Sequence, residues 1–286
     1  MHLITRCYLE ITNVCNLSCV FCPKNARPKR MMTLQEYDVL TDKLKGCIKF
    51  LYFHLMGEPM LHPDLGRMIG MAREKGFVPI LTTNGTLLDR APEELPHKVQ
   101  ISLHSQEANT HGTGMTQDQA EEQYMHRVMD WSLKAAERGA IVVLRLWNQG
   151  GFDTRNDRLH ELIGRHIDRQ QWIQRYDGWK LAERIYLEYD QMFEWPEEQR
   201  SALNEDEVFC YALRNQIGVL VDGTVVPCCL DHEGVMALGN LHRQSLDEIL
   251  ESSRARALYD GFSLHKATEP LCQRCDYAAV TKRFRK

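Results

Sequence analysis

Residues 15–22, Cys-Asn-Leu-Ser-Cys-Val-Phe-Cys, put three thiols into eight positions directly after a strand-like run at 8–12. Cysteines spaced C-x3-C-x2-C can converge on one metal centre, and thiolates are soft ligands that select zinc or an iron–sulfur cluster. A structural zinc site wants a fourth ligand. Beyond Cys22 the next sulfurs are Met31, Met32 and then Cys47, with no histidine between. The set is one ligand short. That suits a [4Fe–4S] cluster with one iron left open to another molecule.

The rest of the sequence supplies strands to present such a loop. Thr33 and Glu36 form a capping box before apolar residues at helical spacing, Leu34, Tyr37, Leu40 and Leu44, closed by Gly46. Strand-like runs follow at 48–55, 77–83, 99–104, 140–146 and 185–189, separated by helical patterns near 64–75, 117–138 and 157–173. Alternating strands and helices predict βα units around a parallel sheet, and such sheets place chemistry at the carboxyl ends of their strands. The polar motifs fall at those ends: the cysteine loop, Gly57-Glu58-Pro59, Thr82 to Gly85, Ser102 with His104, and Arg145. Six units make a partial (βα)6 barrel.

Bulk properties exclude several classes. A net charge of −4 argues against a general nucleic-acid or membrane surface, and no stretch of about 18 apolar residues exists to cross a bilayer. The N-terminus lacks the layout of a signal peptide, so a cytoplasmic protein is expected. Ten cysteines in that compartment are better read as metal ligands than as disulfides. Cys7 and Cys47 are expected to be plain buried thiols. The run from Lys24 to Arg30 holds four cations, open to either an anion-attracting or a solvated role.

A second cysteine group lies in the last third. An acidic, turn-rich stretch between 192 and 208 marks a boundary, giving units 1–195 and 196–286. Asp222-Gly223 between two apolar runs predicts a hairpin that carries Cys228 back towards Cys210. Ser245 then caps a helix over 246–259, and Cys272 and Cys275 follow. Cys210, Cys228, Cys272 and Cys275 make a complete four-thiolate set, with Cys229 spare. From the ligands alone, a structural zinc ribbon fits this set.

The motif C-x3-C-x2-C with Phe21 before its last cysteine resembles the signature of the radical S-adenosylmethionine (SAM) superfamily. The resemblance implies that Cys15, Cys19 and Cys22 hold a [4Fe–4S] cluster whose open iron binds SAM. It implies reductive cleavage of SAM to a 5′-deoxyadenosyl radical that abstracts a substrate hydrogen. Gly57, Glu58 and Pro59, preceded by Met56, resemble the family's GGEP element for the SAM amino group. Thr82, Asn84, Ser102, His104 and Arg145 match positions that touch SAM or substrate in relatives, and the resemblance implies that Phe21 packs near adenine. The C-terminal spacing is similar to the SPASM/twitch extension of these enzymes, which turns the four-cysteine set from zinc towards an auxiliary [4Fe–4S] cluster.

By that resemblance, relatives with one fully ligated auxiliary cluster oxidise substrate by two electrons, the cluster accepting one of them. A base must take the proton; His104, Arg145, Glu188 and Tyr189 are the candidates. The implied partners are a small-molecule or peptide substrate and an electron donor such as flavodoxin or ferredoxin. Alternatives are a SPASM-type peptide or protein maturase, a radical epimerase and, more remotely, a non-catalytic zinc-binding protein.

Overall fold

Burial alternates along β1 (Arg6–Leu9): Cys7 and Leu9 are buried while Tyr8 between them is only half-buried. One side of the strand thus enters a helix-covered core and the other faces a concave interior. The same two-residue period runs through β4 (Lys98–Ser102), where Val99 and Ile101 are buried and Gln100 and Ser102 are not. The computed structural model describes residues 4–23, 25–103, 116–149, 156–203 and 208–278.

Six parallel strands follow in the order β1, β2 (Phe50–Tyr52), β3 (Val78–Thr83), β4, β5 (Ile141–Gln149) and β8 (Ile185–Gln191). This is the expected partial α/β barrel. Helices α1 (Leu34–Leu44), α2 (Leu65–Glu74), α3 (Gln117–Glu137) and α4 (Asn156–Gly164) lie between them in the chain. The capping box predicted at Thr33 is present, with Thr33 and Glu36 each bonded to the other's backbone N–H. Core residues include Tyr37, whose hydroxyl donates to the Met68 carbonyl at 2.9 Å and so ties α1 to α2. No helix among the described residues is long and apolar enough to cross a membrane.

Three features depart from expectation. Residues 169–182 hold a 3-10 turn and an antiparallel hairpin, β6 (Ile173–Arg175) and β7 (Gly178–Ala182), added to the outer edge of β8. The predicted helix over 246–259 is two, α5 (Leu246–Leu250) and α6 (Ser253–Ser263), because Ser252 starts a new N-cap. Finally, the C-terminal hairpin of β9 (Gln216–Val219) and β10 (Thr224–Val226), with β11 (Gly239–Asn240), does not stand apart. β9 pairs in parallel with β1, Leu9 opposite Val219, so one sheet runs through both units.

Candidate active site

The cysteine loop leaves β1 and is framed from two sides. Its return limb runs back along residues 12–13: the Asn13 side chain bonds the Pro28 carbonyl at 2.9 Å and the Arg30 N–H at 2.8 Å, and Thr12 bridges Met31. On the other side Gly57 adopts a φ of +80°, and its N-terminal neighbourhood packs so closely that an added Cβ would lie 2.4 Å from the Thr12 carbonyl. Only glycine fits that approach. The Glu58 N–H then donates to the Val14 carbonyl at 2.8 Å.

Glu58 itself is almost fully buried. Its carboxylate accepts from the Met60 N–H at 3.0 Å, the Thr83 hydroxyl at 2.8 Å and the Asn84 N–H at 2.7 Å. The side chain therefore braces the end of β3. Burial pushes this carboxyl up, opposed by those donors. Asn84 reaches the loop directly, its amide donating to Asn16 Oδ1 at 3.0 Å. Cys15 and Cys22 reach solvent, and Cys19 is half-buried. The Cys22 thiol is pushed up to about 11, by partial desolvation and then by repulsion from Cys19 and Cys15.

Behind this rim lies a cavity of about 310 Å³. Thr82, Ser102 and Arg145 line it from the strand ends, and Cys210, Cys228, Cys272 and Cys275 line it from the C-terminal unit. Burial, followed by repulsion from its cysteine neighbours including Cys210, Cys272 and Cys275, raises the Cys228 thiol well above the ordinary thiol range. Cys229 also lines the cavity, and burial pushes it up to about 12. Among the described residues, no three His, Cys, Asp or Glu side chains close around a point as a single metal ion would require.

Register decides which candidate bases face this space. Ser102, Arg145 and Glu188 form a row across β4, β5 and β8. Arg145 is ion-paired at 2.9 Å with Asp190, which lines the cavity two residues beyond Glu188. Tyr189, one residue out of step, is on the opposite face of β8 and its hydroxyl contacts His160 of α4. Tyr189 is thereby corrected: the period of two that buries Leu187 takes it away from the cavity. Glu188 is half-buried and is not among the cavity-lining residues. His104 lies outside the described residues. Phe21 packs edge-on against Trp147, ring centroids 5.9 Å apart, and Trp147 lines the cavity.

Sequence reasoning missed His54. It follows β2, lines the cavity, and is wedged edge-on against Tyr8 and Tyr52 at 5.3 and 5.9 Å. Its Nδ1 is buried without a hydrogen-bond partner. Burial, then the nearby Arg145 charge, lowers it to about 3, so the ring is neutral at physiological pH. The only sequence signal was its place after an apolar strand. Two other expectations change: Cys47 is exposed rather than buried, and the basic run is committed to structure. Arg27 pairs with Glu10, Lys29 Nζ donates to the Asn13 carbonyl at 3.0 Å, and Arg30 pairs with Glu36. Lys24 lies outside the described residues.

Comparison with known proteins agrees with this geometry. Residues 9–121 match the radical SAM superfamily, and residues 210–276 match SPASM, an iron–sulfur cluster-binding domain. The chain is a radical SAM protein with a C-terminal SPASM domain. Such a protein carries a SAM-binding [4Fe–4S] cluster, SAM and auxiliary iron–sulfur.

Over 86 residues it is 37% identical to the tungsten-containing aldehyde ferredoxin oxidoreductase cofactor-modifying protein of Pyrococcus furiosus, covering 28% of this chain and 24% of that one. It is 33% identical over 82 residues to an S-adenosylmethionine-dependent nucleotide dehydratase of Selenomonas ruminantium, covering 28% and 30%. The matched segments span about a quarter to a third of the curated relatives. Among solved structures, BtrN in complex with AdoMet and 2-DOIA superposes with a TM-score of 0.60 at 18% identity, covering 96% of this chain and 93% of that one. AnSMEcpe with bound AdoMet gives 0.58 at 12%, covering 98% and 91%. Those two share the fold.

The donor chemistry fits the groups this class carries. Three thiols on one loop, with no fourth protein ligand among the described residues, suit the cluster that leaves an iron open. The cavity-lining Cys210, Cys228, Cys272 and Cys275 suit a fully ligated one.

Proposed function

We propose that this chain oxidises a small substrate bound in the cavity, with Cys15, Cys19 and Cys22 holding the SAM-binding cluster. Cys210, Cys228, Cys272 and Cys275 hold one auxiliary [4Fe–4S] cluster in a unit running from 196 to 286, after a radical SAM core over 1–195. When bound, these groups supply hydrogen abstraction from the substrate and an acceptor for the electron left behind. The observation that carries the reading is the shared cavity: strand-end Thr82, Ser102 and Arg145 face the same 310 Å³ as the four C-terminal cysteines. A substrate there lies between both sets.

The protein's own groups have distinct roles. The backbone at Gly57 and Pro59, with Asn84, Thr82 and Phe21, shapes the rim where SAM binds. Glu58 acts through its three hydrogen bonds, which hold the β3 end against the loop. Arg145, its charge balanced by Asp190, orients polar substrate groups; a guanidinium does not deprotonate at working pH and is not the base. His54, held neutral by burial and by the Arg145 charge, is too weak a base to take the substrate proton, and its unpartnered Nδ1 serves as a hydrogen-bonding group facing the substrate. A reduced flavodoxin or ferredoxin supplies the electron for SAM cleavage.

The test is iron, sulfide and zinc content after anaerobic reconstitution, with SAM cleavage to 5′-deoxyadenosine measured on wild type and on Cys15→Ala, Cys19→Ala, Cys22→Ala. About eight irons in wild type, about four in the variant and cleavage only in wild type are expected. About four irons plus zinc in wild type removes the electron-acceptor role of the C-terminal site. Zinc alone overturns the reading.

A further inference from the structure

Glu10 and Arg27 stand five residues before Cys15 and five after Cys22. Glu10 has no exposed side-chain surface, and Arg27 very little. The two meet as a fork: Arg27 Nη1 donates to Glu10 Oε2 at 2.9 Å and Nη2 to Oε1 at 2.6 Å. Each also reaches the C-terminal unit. Glu10 Oε2 accepts from the Val221 N–H at 2.9 Å, and Arg27 Nε donates to the His232 carbonyl at 2.8 Å. The adjacent Ala26 N–H donates to Glu233 Oε1 at 2.8 Å.

Val221 precedes and His232 follows Cys228 and Cys229 in the chain. One carboxylate and one guanidinium therefore join the return limb of the N-terminal cysteine loop to both flanks of the C-terminal cysteine pair. A buried ion pair is a poor source of stability, since an apolar pair of similar volume often serves as well. What the planar fork supplies is direction, with Nε, Nη1 and Nη2 each donating to a different acceptor atom.

We propose that Glu10 and Arg27 are a positioning pair that locks the N-terminal cysteine loop onto the SPASM domain, so that the loop retains its cluster only while that lock is closed. This rests on the reading of Cys15, Cys19 and Cys22 as cluster ligands. Coupling of this kind makes the radical centre depend on the docking of the C-terminal unit.

The test uses the full chain carrying Glu10→Gln with Arg27→Met. This removes both charges and the fork yet keeps an oxygen for the Val221 N–H. Iron per chain, the electron paramagnetic resonance of the reduced protein with and without SAM, and the melting temperature are measured together. The expected result is a melting temperature within a few degrees of wild type and a fall from about eight irons to about four. The SAM-dependent change in the spectrum disappears. Adding Cys15→Ala, Cys19→Ala and Cys22→Ala to that variant then removes no further iron, which assigns the loss to the N-terminal loop.

About eight irons with an unchanged SAM response overturn the proposal, as does equal loss from both sites. If the double variant melts far below wild type, Arg27→Lys decides. It keeps the charge without the fork, so partial loss of N-terminal iron is expected and full retention overturns the proposal. Wild type without iron is a separate outcome, because it overturns the cluster reading itself.

Discussion

Gly46 and Gly57 have the same left-handed backbone, with φ of +81° and +80°, but opposite surroundings. A Cβ added at Gly46 meets nothing within 4 Å. One added at Gly57 meets the Thr12 carbonyl oxygen at 2.4 Å, the Val14 carbonyl oxygen at 2.9 Å and Asn13 backbone carbon at 3.0 Å. Alanine at either site carries the left-handed penalty of about 1–2 kcal/mol. At Gly57 the backbone opposite must also retreat, at about 1–3 kcal/mol more. It resists, because the Val14 carbonyl is held by the Glu58 N–H at 2.8 Å and Thr12 by its bridge to Met31. For a chain of this size each kcal/mol lowers the melting temperature by about 2–4 °C. Gly46→Ala is expected to lower it by about 4 °C and Gly57→Ala by about 10 °C. Since Val14 adjoins Cys15, Gly57→Ala also loses iron from the N-terminal loop on reconstitution. Calorimetry on both variants, side by side, checks this. Equal drops would show that the close approach at Gly57 does not exist, and with it the framing of the loop.

Three further outcomes are expected. Glu58→Gln turns an amide nitrogen towards one of three donors and loses about 1.5–3 kcal/mol, read from the urea midpoint at pH 7. Asp231 is buried and accepts from the Val235 and Met236 N–H groups at 2.9 and 2.8 Å. Asp231→Ala leaves both unpaired just after Cys229, so iron falls by about four per chain at the C-terminal site while SAM cleavage persists. His54 is held neutral in the folded chain down to about 3, whereas in the unfolded chain it takes a proton near 6.5. Its contribution is therefore present above pH 6.5 and is lost as pH falls, by about 1.4 kcal/mol per pH unit. His54→Phe flattens the urea stability profile over that window; an unchanged slope sinks the assignment of a buried neutral ring.

The parallel barrel was legible because its signals are local. Capping boxes, helix-closing glycines and apolar strands each act within a few residues, and polar motifs mark the strand ends. The hairpin of β6 and β7 had a signal too: Asp177-Gly178 between apolar residues is the same pattern that marks Asp222-Gly223. A helical period over the preceding residues masked it. Tyr189 was misplaced because choosing among adjacent strand residues needs the register, and one residue reverses the face. His54 and the fork of Glu10 with Arg27 were out of reach for another reason. The state of His54 depends on its burial and on Tyr8 and Arg145 from other strands, and the fork depends on partners more than 200 residues away in the chain.

The pairing of β1 with β9 has a consequence during synthesis. Leu9 finds its partner Val219 only after 210 further residues have been made. At about 5–20 residues per second that is roughly 10–40 s in which one edge of the first strand is open. β2 covers the other edge early, yet an open strand edge invites pairing with other chains. Contacts of such sequence separation also fold slowly. The nascent chain thus spends its most aggregation-prone interval with Cys15, Cys19 and Cys22 already exposed and their neighbouring strand unprotected, so expression at low temperature or with a holding chaperone should raise soluble yield more than cluster supplementation alone.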